Sequence, residues 1–194
     1  MPPEVHPFFH AATETYSYIV ADTGTHRAAV IDPVLDFSVR SGKIATVAAD
    51  EILAFLATRG LALEWILETH AHADHLTAAN YLKEKTGAQL AIGEGICQVQ
   101  AIFKAQLNLE AAFSTDGRQF DRLFKDGEHF QVGASAARVL ATPGHTSDSV
   151  AYLFEGMAFI GDTLFMPDYG TARCDFPGGD ARVLYRTIQK LFCL

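Results

Sequence analysis

The sequence has little cysteine and no cysteine pair at metal-ligand spacing. Its 194 residues include three cysteines, Cys97, Cys174 and Cys193, which are widely spaced and form no C-x-x-C motif. An odd number of scattered cysteines indicates neither a disulfide framework nor a cysteine-based zinc site. Because thiols stay reduced in the cytoplasm, this cysteine content favours a cytoplasmic protein.

Long apolar runs and clusters of basic residues are also absent. No uninterrupted apolar stretch approaches membrane-spanning length, and the first residues lack the basic and apolar regions of a signal peptide. The formal net charge of −8 disfavours nucleic acid or an anionic membrane as the main partner, because neither attracts an acidic surface. We therefore expect a soluble, unexported protein.

The remaining composition is that of a globular domain. A hydrophobic content of 49% over this length can build one core, so we expect a single domain over residues 1–194. Helices are predicted over residues 46–59, 76–85, 96–109 and 180–191, with a loop at 38–43 and strands between the helices. This order predicts an α/β fold with two mixed sheets faced by helices. The apolar ending at residues 191–194 predicts that the chain is cut inside a larger domain.

A dense run of metal-ligand residue types follows the apolar stretch at residues 65–67. It contains His70, His72, Asp74 and His75. Side chains at i and i+2 share one face of a strand, so His70 and His72 can converge on one ion as the chain leaves the strand. Asp74 and His75 can reach the same ion or a second one beside it. Imidazole and carboxylate groups at this spacing are typical of a metal site.

Two later turns each supply a further ligand candidate. His145 lies in the turn at residues 142–146 and Asp162 in the turn at 159–163, and each turn follows an apolar run that reads as a strand. Both side chains are therefore expected at strand ends, where they can complete the site. Asp32 ends another strand, before a proline; it either orients the histidine loop by hydrogen bonding or only caps a turn.

The ordered motifs resemble those of the metallo-β-lactamase superfamily, which has a four-layered αβ/βα fold. The resemblance rests on H-x-H-x-D-H at residues 70–75, P-G-H-T at 143–146 and G-D-T at 161–163, and it covers nearly the whole chain. Residues 31–34, 68–78 and 173–176 look like the persulfide dioxygenase group, which is similar to glyoxalase II thioesterases but uses one iron. The stretch 166–180 is closest to a bacterial branch linked to sulfide handling.

This resemblance implies one Fe(II) per chain, held by His70, His145 and Asp162 as the catalytic set. The implied reaction is oxidation of glutathione persulfide, or a similar low-molecular-weight persulfide, by O₂ to sulfite and the parent thiol. Two histidines and one carboxylate leave positions open on iron for both reactants. Asp74 and His75 would then orient the loop by hydrogen bonding.

Two loop residues are candidates for contact with the substrate. The Arg173 guanidinium can hold a substrate carboxylate bidentately, the alternative being a salt bridge to Asp175 or Asp168. Tyr169 can line the mouth of the pocket, although an aromatic residue in a loop also serves packing.

Two alternatives to the dioxygenase stay open. The first is a dinuclear zinc hydrolase, a glyoxalase II-like thioesterase or lactonase, which would draw its ligands from all three motifs: His70, His72 and His145 for one ion, and Asp74, His75 and a bridging Asp162 for the other. A further family histidine, in an H-D-Y-like turn, would lie beyond Leu194. The second is a truncated chain that binds a metal without catalysis and serves as a scaffold or regulatory partner; one or two zinc ions are the alternative to iron. Homodimers are common in the family, so a homodimer is one candidate assembly.

Overall fold

The computed structural model describes residues 2–194, which form thirteen strands and four α-helices. The strands are β1 (Glu4–His10), β2 (Thr15–Asp22), β3 (Arg27–Ile31), β4 (Val34–Ser38), β5 (Lys43–Ala45), β6 (Ala62–Leu67), β7 (Leu76–Thr77), β8 (Gln89–Gly93), β9 (Arg122–Phe124), β10 (His129–Val132), β11 (Ser135–Ala141), β12 (Val150–Phe154) and β13 (Met157–Phe159). The helices are α1 (Val47–Thr58), α2 (Ala79–Thr86), α3 (Ile96–Gln106) and α4 (Ala181–Leu191), and a short 3₁₀ turn (Gly161–Thr163) follows β13. Among these described helices, none has the length and apolar character that crossing a bilayer requires.

The largest sheet has six strands in the order β1-β2-β3-β6-β8-β9. Its first three strands are antiparallel neighbours. β3, β6, β8 and β9 run parallel, joined by crossovers that include α1, α2 and α3. Parallel strands end at the same edge of a sheet, so β3 and β6 bring Asp32 and the histidine run to one edge.

The second sheet, β10-β11-β12-β13, packs against one face of the first. Buried Val139 and Tyr152 of the second sheet lie in the same apolar cluster as Ile31 and Leu67 of the first. α1 and α2 pack on the opposite face of the large sheet, around Leu82 and its neighbours. The predicted α/β class is thereby confirmed. The second sheet differs from the expected mixed pairing, since all its strand pairs are antiparallel.

A third, small sheet joins β5, β4 and β7 and changes one predicted boundary. The helix predicted over residues 76–85 begins later, because Leu76 and Thr77 pair with β4 and α2 starts at Ala79. The Thr77 hydroxyl accepts the Ala79 amide at 3.0 Å, which stabilises the later start. The helix predicted over 96–109 ends earlier, at Gln106.

Candidate metal centre

Three side chains from distant segments meet at the edge where the two sheets end. His70 follows β6, His145 lies between β11 and β12, and Asp162 lies in the 3₁₀ turn after β13. The Nε2 atoms of His70 and His145 lie 3.7 Å and 3.6 Å from Asp162 Oδ2. Both imidazoles are buried, and the Asp162 side chain is 34% exposed. One ligand atom from each residue lies within 4.8 Å of the others, which is a spacing that one metal ion can bridge.

Hydrogen bonds on the far side of each ring turn the Nε2 lone pairs toward this centre. His145 Nδ1 donates to the backbone carbonyl of Arg173 at 2.7 Å, and a carbonyl can only accept. His70 Nδ1 lies 3.0 Å from the Thr69 hydroxyl, which itself donates to Asp32 Oδ2 at 2.7 Å. The hydroxyl therefore accepts from His70, and both rings keep Nε2 unprotonated, as metal-ligating histidines do.

The charge state of His70 fits the same role. Burial holds the pKa of His70 well below its usual value, so the ring is neutral near pH 7. His70 Nε2 is buried and has no hydrogen-bond partner in the described part of the chain. Buried polar atoms are almost always paired, so an unpaired lone pair facing a second imidazole and a carboxylate fits a bound metal ion.

His72 is anchored away from these three residues through its own Nε2. That atom lies 3.1 Å from Asp32 Oδ1 and 3.0 Å from Glu68 Oε2, and both carboxylates are buried. Burial lowers the pKa of His72, but the two carboxylates outweigh it and raise the pKa well above its usual value. A ring held through Nε2 has only Nδ1 left for a metal ion, and it must lose a proton to bind one. The sequence pattern assigns Glu68 no role, because a glutamate at a strand end carries no ligand motif of its own.

A second group of potential ligands lies beside the first. His72, Asp74 and His75 each offer a ligand atom within 4.8 Å of the others. His75 Nδ1 lies 3.0 Å from Asp74 Oδ2, and this hydrogen bond lowers the pKa of Asp74. His75 Nε2 is buried without a hydrogen-bond partner among the described residues. The structure therefore groups the predicted ligands into two adjacent sets of three.

Asp32 lies at the end of β3 and contacts the histidine loop from below. Its Oδ1 accepts the backbone amide of Thr69 at 2.7 Å, and its Oδ2 accepts the Thr69 hydroxyl. Its own amide donates to Leu67 at 2.9 Å, and its φ is +49°, in the left-handed region. Burial raises the pKa of Asp32, but His72 outweighs that effect and lowers it overall. These contacts are those of a residue that orients the loop.

The two predicted substrate contacts lie on the loop that follows Asp162. The Arg173 guanidinium forms a bidentate pair with Asp175, at 2.6 and 2.7 Å, and lies 4.9 Å from the Phe176 ring. Asp175 accepts these hydrogen bonds from Arg173, and they lower the pKa of Asp175 to about 2. Tyr169 is 77% exposed. The Arg173 side chain thus adopts the salt-bridge alternative, while its carbonyl reaches the centre through His145.

Comparison with known proteins extends these observations. A family model described as the metallo-beta-lactamase superfamily matches residues 11–192. A probable metallo-hydrolase of Burkholderia pseudomallei is 48% identical over 98% of this chain and 68% of its own length. A beta-lactamase hydrolase-like protein of Xylella fastidiosa is 51% identical over 99% of this chain and 44% of its own length.

Proteins named persulfide dioxygenase are more distant matches. The mitochondrial persulfide dioxygenase ETHE1 of Bos taurus is 30% identical over 96% of this chain and 62% of its own length. The crystal structure of ETHE1 from Myxococcus xanthus has a TM-score of 0.76 and 31% identity, covering 98% of this chain and 71% of that one. The chain spans 44% to 68% of the lengths of these curated relatives. Because the family model covers nearly all of it, the chain belongs to the metallo-β-lactamase superfamily.

Proposed function

We propose that this protein is a persulfide dioxygenase-like enzyme with one non-haem iron per chain. The observation that carries the proposal is the set His70, His145 and Asp162, two imidazoles and one carboxylate whose ligand atoms converge. This donor set is typical of Fe(II) oxygenases, in which the protein fills one face of the metal and leaves the other face open. The similarity to ETHE1 proteins supports the same assignment.

The proposed reaction consumes one persulfide, one O₂ and one water, and yields one thiol, one sulfite and two protons. Bound iron supplies the dioxygen chemistry, and the chain supplies the arrangement around it. Thr69 and Asp32 hold the His70 ring, and the Arg173 carbonyl holds the His145 ring, so little reorganisation is needed on binding. The partly exposed Asp162 marks the side from which reactants enter.

The proposed substrate is glutathione persulfide or another small thiol persulfide. Arg173 and Tyr169 are exposed on the loop that follows Asp162, where they can contact a substrate. Arg173 would exchange the Asp175 carboxylate for a carboxylate of the substrate, which its planar guanidinium binds in the same bidentate way. We also propose that the enzyme works in the cytoplasm, where its free cysteines stay reduced.

A dinuclear zinc hydrolase is the second candidate, and a specific observation favours it. Asp74 and His75, the ligands expected for a second ion, lie directly beside the first set, and His72 lies with them. Several similar proteins carry hydrolase names, among them the Burkholderia and Xylella relatives. In this alternative the zinc ions would supply a hydroxide nucleophile near neutral pH, and the substrate would be a thioester or lactone.

Metal content and oxygen uptake distinguish the two candidates. Protein purified without added metal is analysed for iron and zinc, and is then given glutathione persulfide in an oxygen electrode. About one iron per chain with persulfide-dependent uptake supports the dioxygenase. Zinc near two per chain, no uptake and hydrolysis of a glutathione thioester would replace it with the hydrolase.

Replacement of the carboxylate ligand provides a second test. Asp162→Ala should abolish both iron loading and oxygen uptake, because it removes the negatively charged ligand of the set. Asp168→Ala is the matched control, since Asp168 is an exposed aspartate six positions along the same loop. Unchanged uptake in the Asp162 variant would refute the proposed site.

A further inference from the structure

The histidine loop and the turn that carries His145 are joined through a buried carboxylate. Asp148, three residues after His145, is 1% exposed, and its Oδ2 accepts the backbone amide of Ala71 at 2.8 Å. Ala71 lies between His70 and His72. This hydrogen bond therefore joins two segments 77 residues apart, each of which carries a ligand of the metal centre.

Two further hydrogen bonds join the same pair of segments. The amide of Val150 donates to the carbonyl of Thr69, and the hydroxyl of Tyr152 donates to the carbonyl of Glu68, each at 2.8 Å. Both bonds end before His70 in the chain. Of these three hydrogen bonds, the one to Asp148 fixes the backbone after His70. The backbone is therefore hydrogen-bonded both before and after His70.

The position of Asp148 is itself fixed by close packing. A Cβ added to Gly95 would lie 2.7 Å from Asp148 Cα, and one added to Gly93 would lie 2.8 Å from the Asp148 carbonyl oxygen. The backbone at the start of α3 thus lies directly against the turn. Because this backbone packs against it, the turn that carries His145 cannot move away from the loop that carries His70. The Asp148 carboxylate therefore fixes the distance between the two segments.

We propose that Asp148 is a positioning residue of the metal centre, which sets the separation of His70 and His145 by accepting the Ala71 amide. The separation matters because both Nε2 atoms must stay within reach of Asp162 Oδ2, as they do at 3.7 and 3.6 Å. Asp148 acts through the loop backbone and touches no ligand atom. The inference rests on the metal centre alone and holds for iron or zinc, so it can stand if the dioxygenase proposal fails.

Cobalt(II) binding to the apoprotein tests this role without any enzyme assay. The affinity is measured by competition with a coloured chelator, and the visible spectrum of the bound cobalt reports the ligand geometry. Removal of groups that orient metal ligands typically costs 10–100-fold in affinity, so Asp148→Ala should lose about that much and show altered absorption bands. Asp148→Asn keeps an oxygen for the Ala71 amide and should bind cobalt within a few-fold of wild type.

Asp22→Ala is the matched control. The Asp22 carboxylate likewise accepts a distant backbone amide, that of Ala134, but at the opposite end of β11 from His145. Its replacement should leave cobalt affinity unchanged. Wild-type affinity and spectrum in Asp148→Ala, or equal losses in the Ala and Asn variants, would overturn the proposal.

One measurement needs no variant, in case Asp148→Ala does not fold. Hydrogen exchange in the wild-type apoprotein should show a strongly protected Ala71 amide, because the amide is bonded to a buried acceptor. An Ala71 amide that exchanges as fast as an exposed loop amide would overturn the proposal on its own.

Discussion

Thr69→Val isolates the hydrogen-bond chain that orients His70. Valine has nearly the shape of threonine, so the substitution removes the hydroxyl with little change in packing. The hydroxyl is fully buried, accepts from His70 Nδ1 at 3.0 Å and donates to Asp32 Oδ2 at 2.7 Å. Without the hydroxyl, the buried His70 Nδ1 donor and the buried Asp32 Oδ2 acceptor both lose a hydrogen-bond partner. Each such group costs about 1–3 kcal/mol, so we expect the apoprotein to lose about 2–6 kcal/mol of unfolding free energy.

The measurement is urea unfolding of the metal-free protein, with metal affinity determined on the same samples. Thr69→Ser is the control, because serine keeps the hydroxyl and should lose only about 1 kcal/mol for the missing methyl group. Metal affinity should fall about 10–100-fold in the valine variant, since the His70 tautomer is no longer fixed. If the valine variant has the urea midpoint and metal affinity of wild type, the proposed role of the His70–Thr69–Asp32 hydrogen bonds is refuted.

Three further predictions concern the turn before Asp162, pH and the metal itself. Gly161→Ala should lower the free energy of unfolding by about 1–3 kcal/mol, measured by heat or urea. The reason is that Gly161 has a φ of +49° and that the new Cβ would lie 2.3 Å from Thr69 Oγ1. Wild-type stability in this variant would contradict that geometry. The Asp121 carboxylate accepts the Leu90 amide and pairs with Lys83, contacts that lower its pKa. Wild type should therefore be more stable than Asp121→Asn above the unfolded pKa of about 3.9, and the gap should close as pH falls through the lower folded pKa. A gap that persists in acid would exclude the charge as its cause. Chelation of the metal should lower the melting temperature. Metal added back at about 100 times its dissociation constant should raise the free energy of unfolding by about 2.7 kcal/mol. A melting temperature that does not change with metal would count against a metal site in the folded state.

The residue types and spacing are enough to predict which side chains converge at the candidate metal centre. His70 after an apolar strand, and His145 and Asp162 after two later strands, are all placed at strand ends by the sequence pattern alone. The structure brings them together because those strands end at a common edge. The helix predicted over 180–191 is confirmed, and the Asp180 carboxylate caps it by accepting the amides of Arg182 and Val183.

The contacts that orient the ligands could not be predicted in the same way. The hydrogen bond from the Ala71 amide to the Asp148 carboxylate spans 77 residues and depends on the packing of α3 against the turn, which no local pattern encodes. The same holds for the secondary structure that the pattern misses. β7 is two residues long, and Leu76 and Thr77 form a strand through pairing with β4 rather than through their own periodicity. Tertiary pairing overrides local preference in such short segments.

The left-handed backbone at Asp32 restricts how this protein can evolve. Few residue types adopt a φ of +49° without strain, chiefly glycine, asparagine and aspartate. Of these, aspartate alone brings two negatively charged acceptor oxygens to Thr69 and His72. Backbone shape therefore leaves three residue types, and charge selects aspartate among them. A descendant with a β-branched residue at this position would have to rebuild the end of β3 together with the histidine loop, so single-step drift there leads to loss of the metal centre.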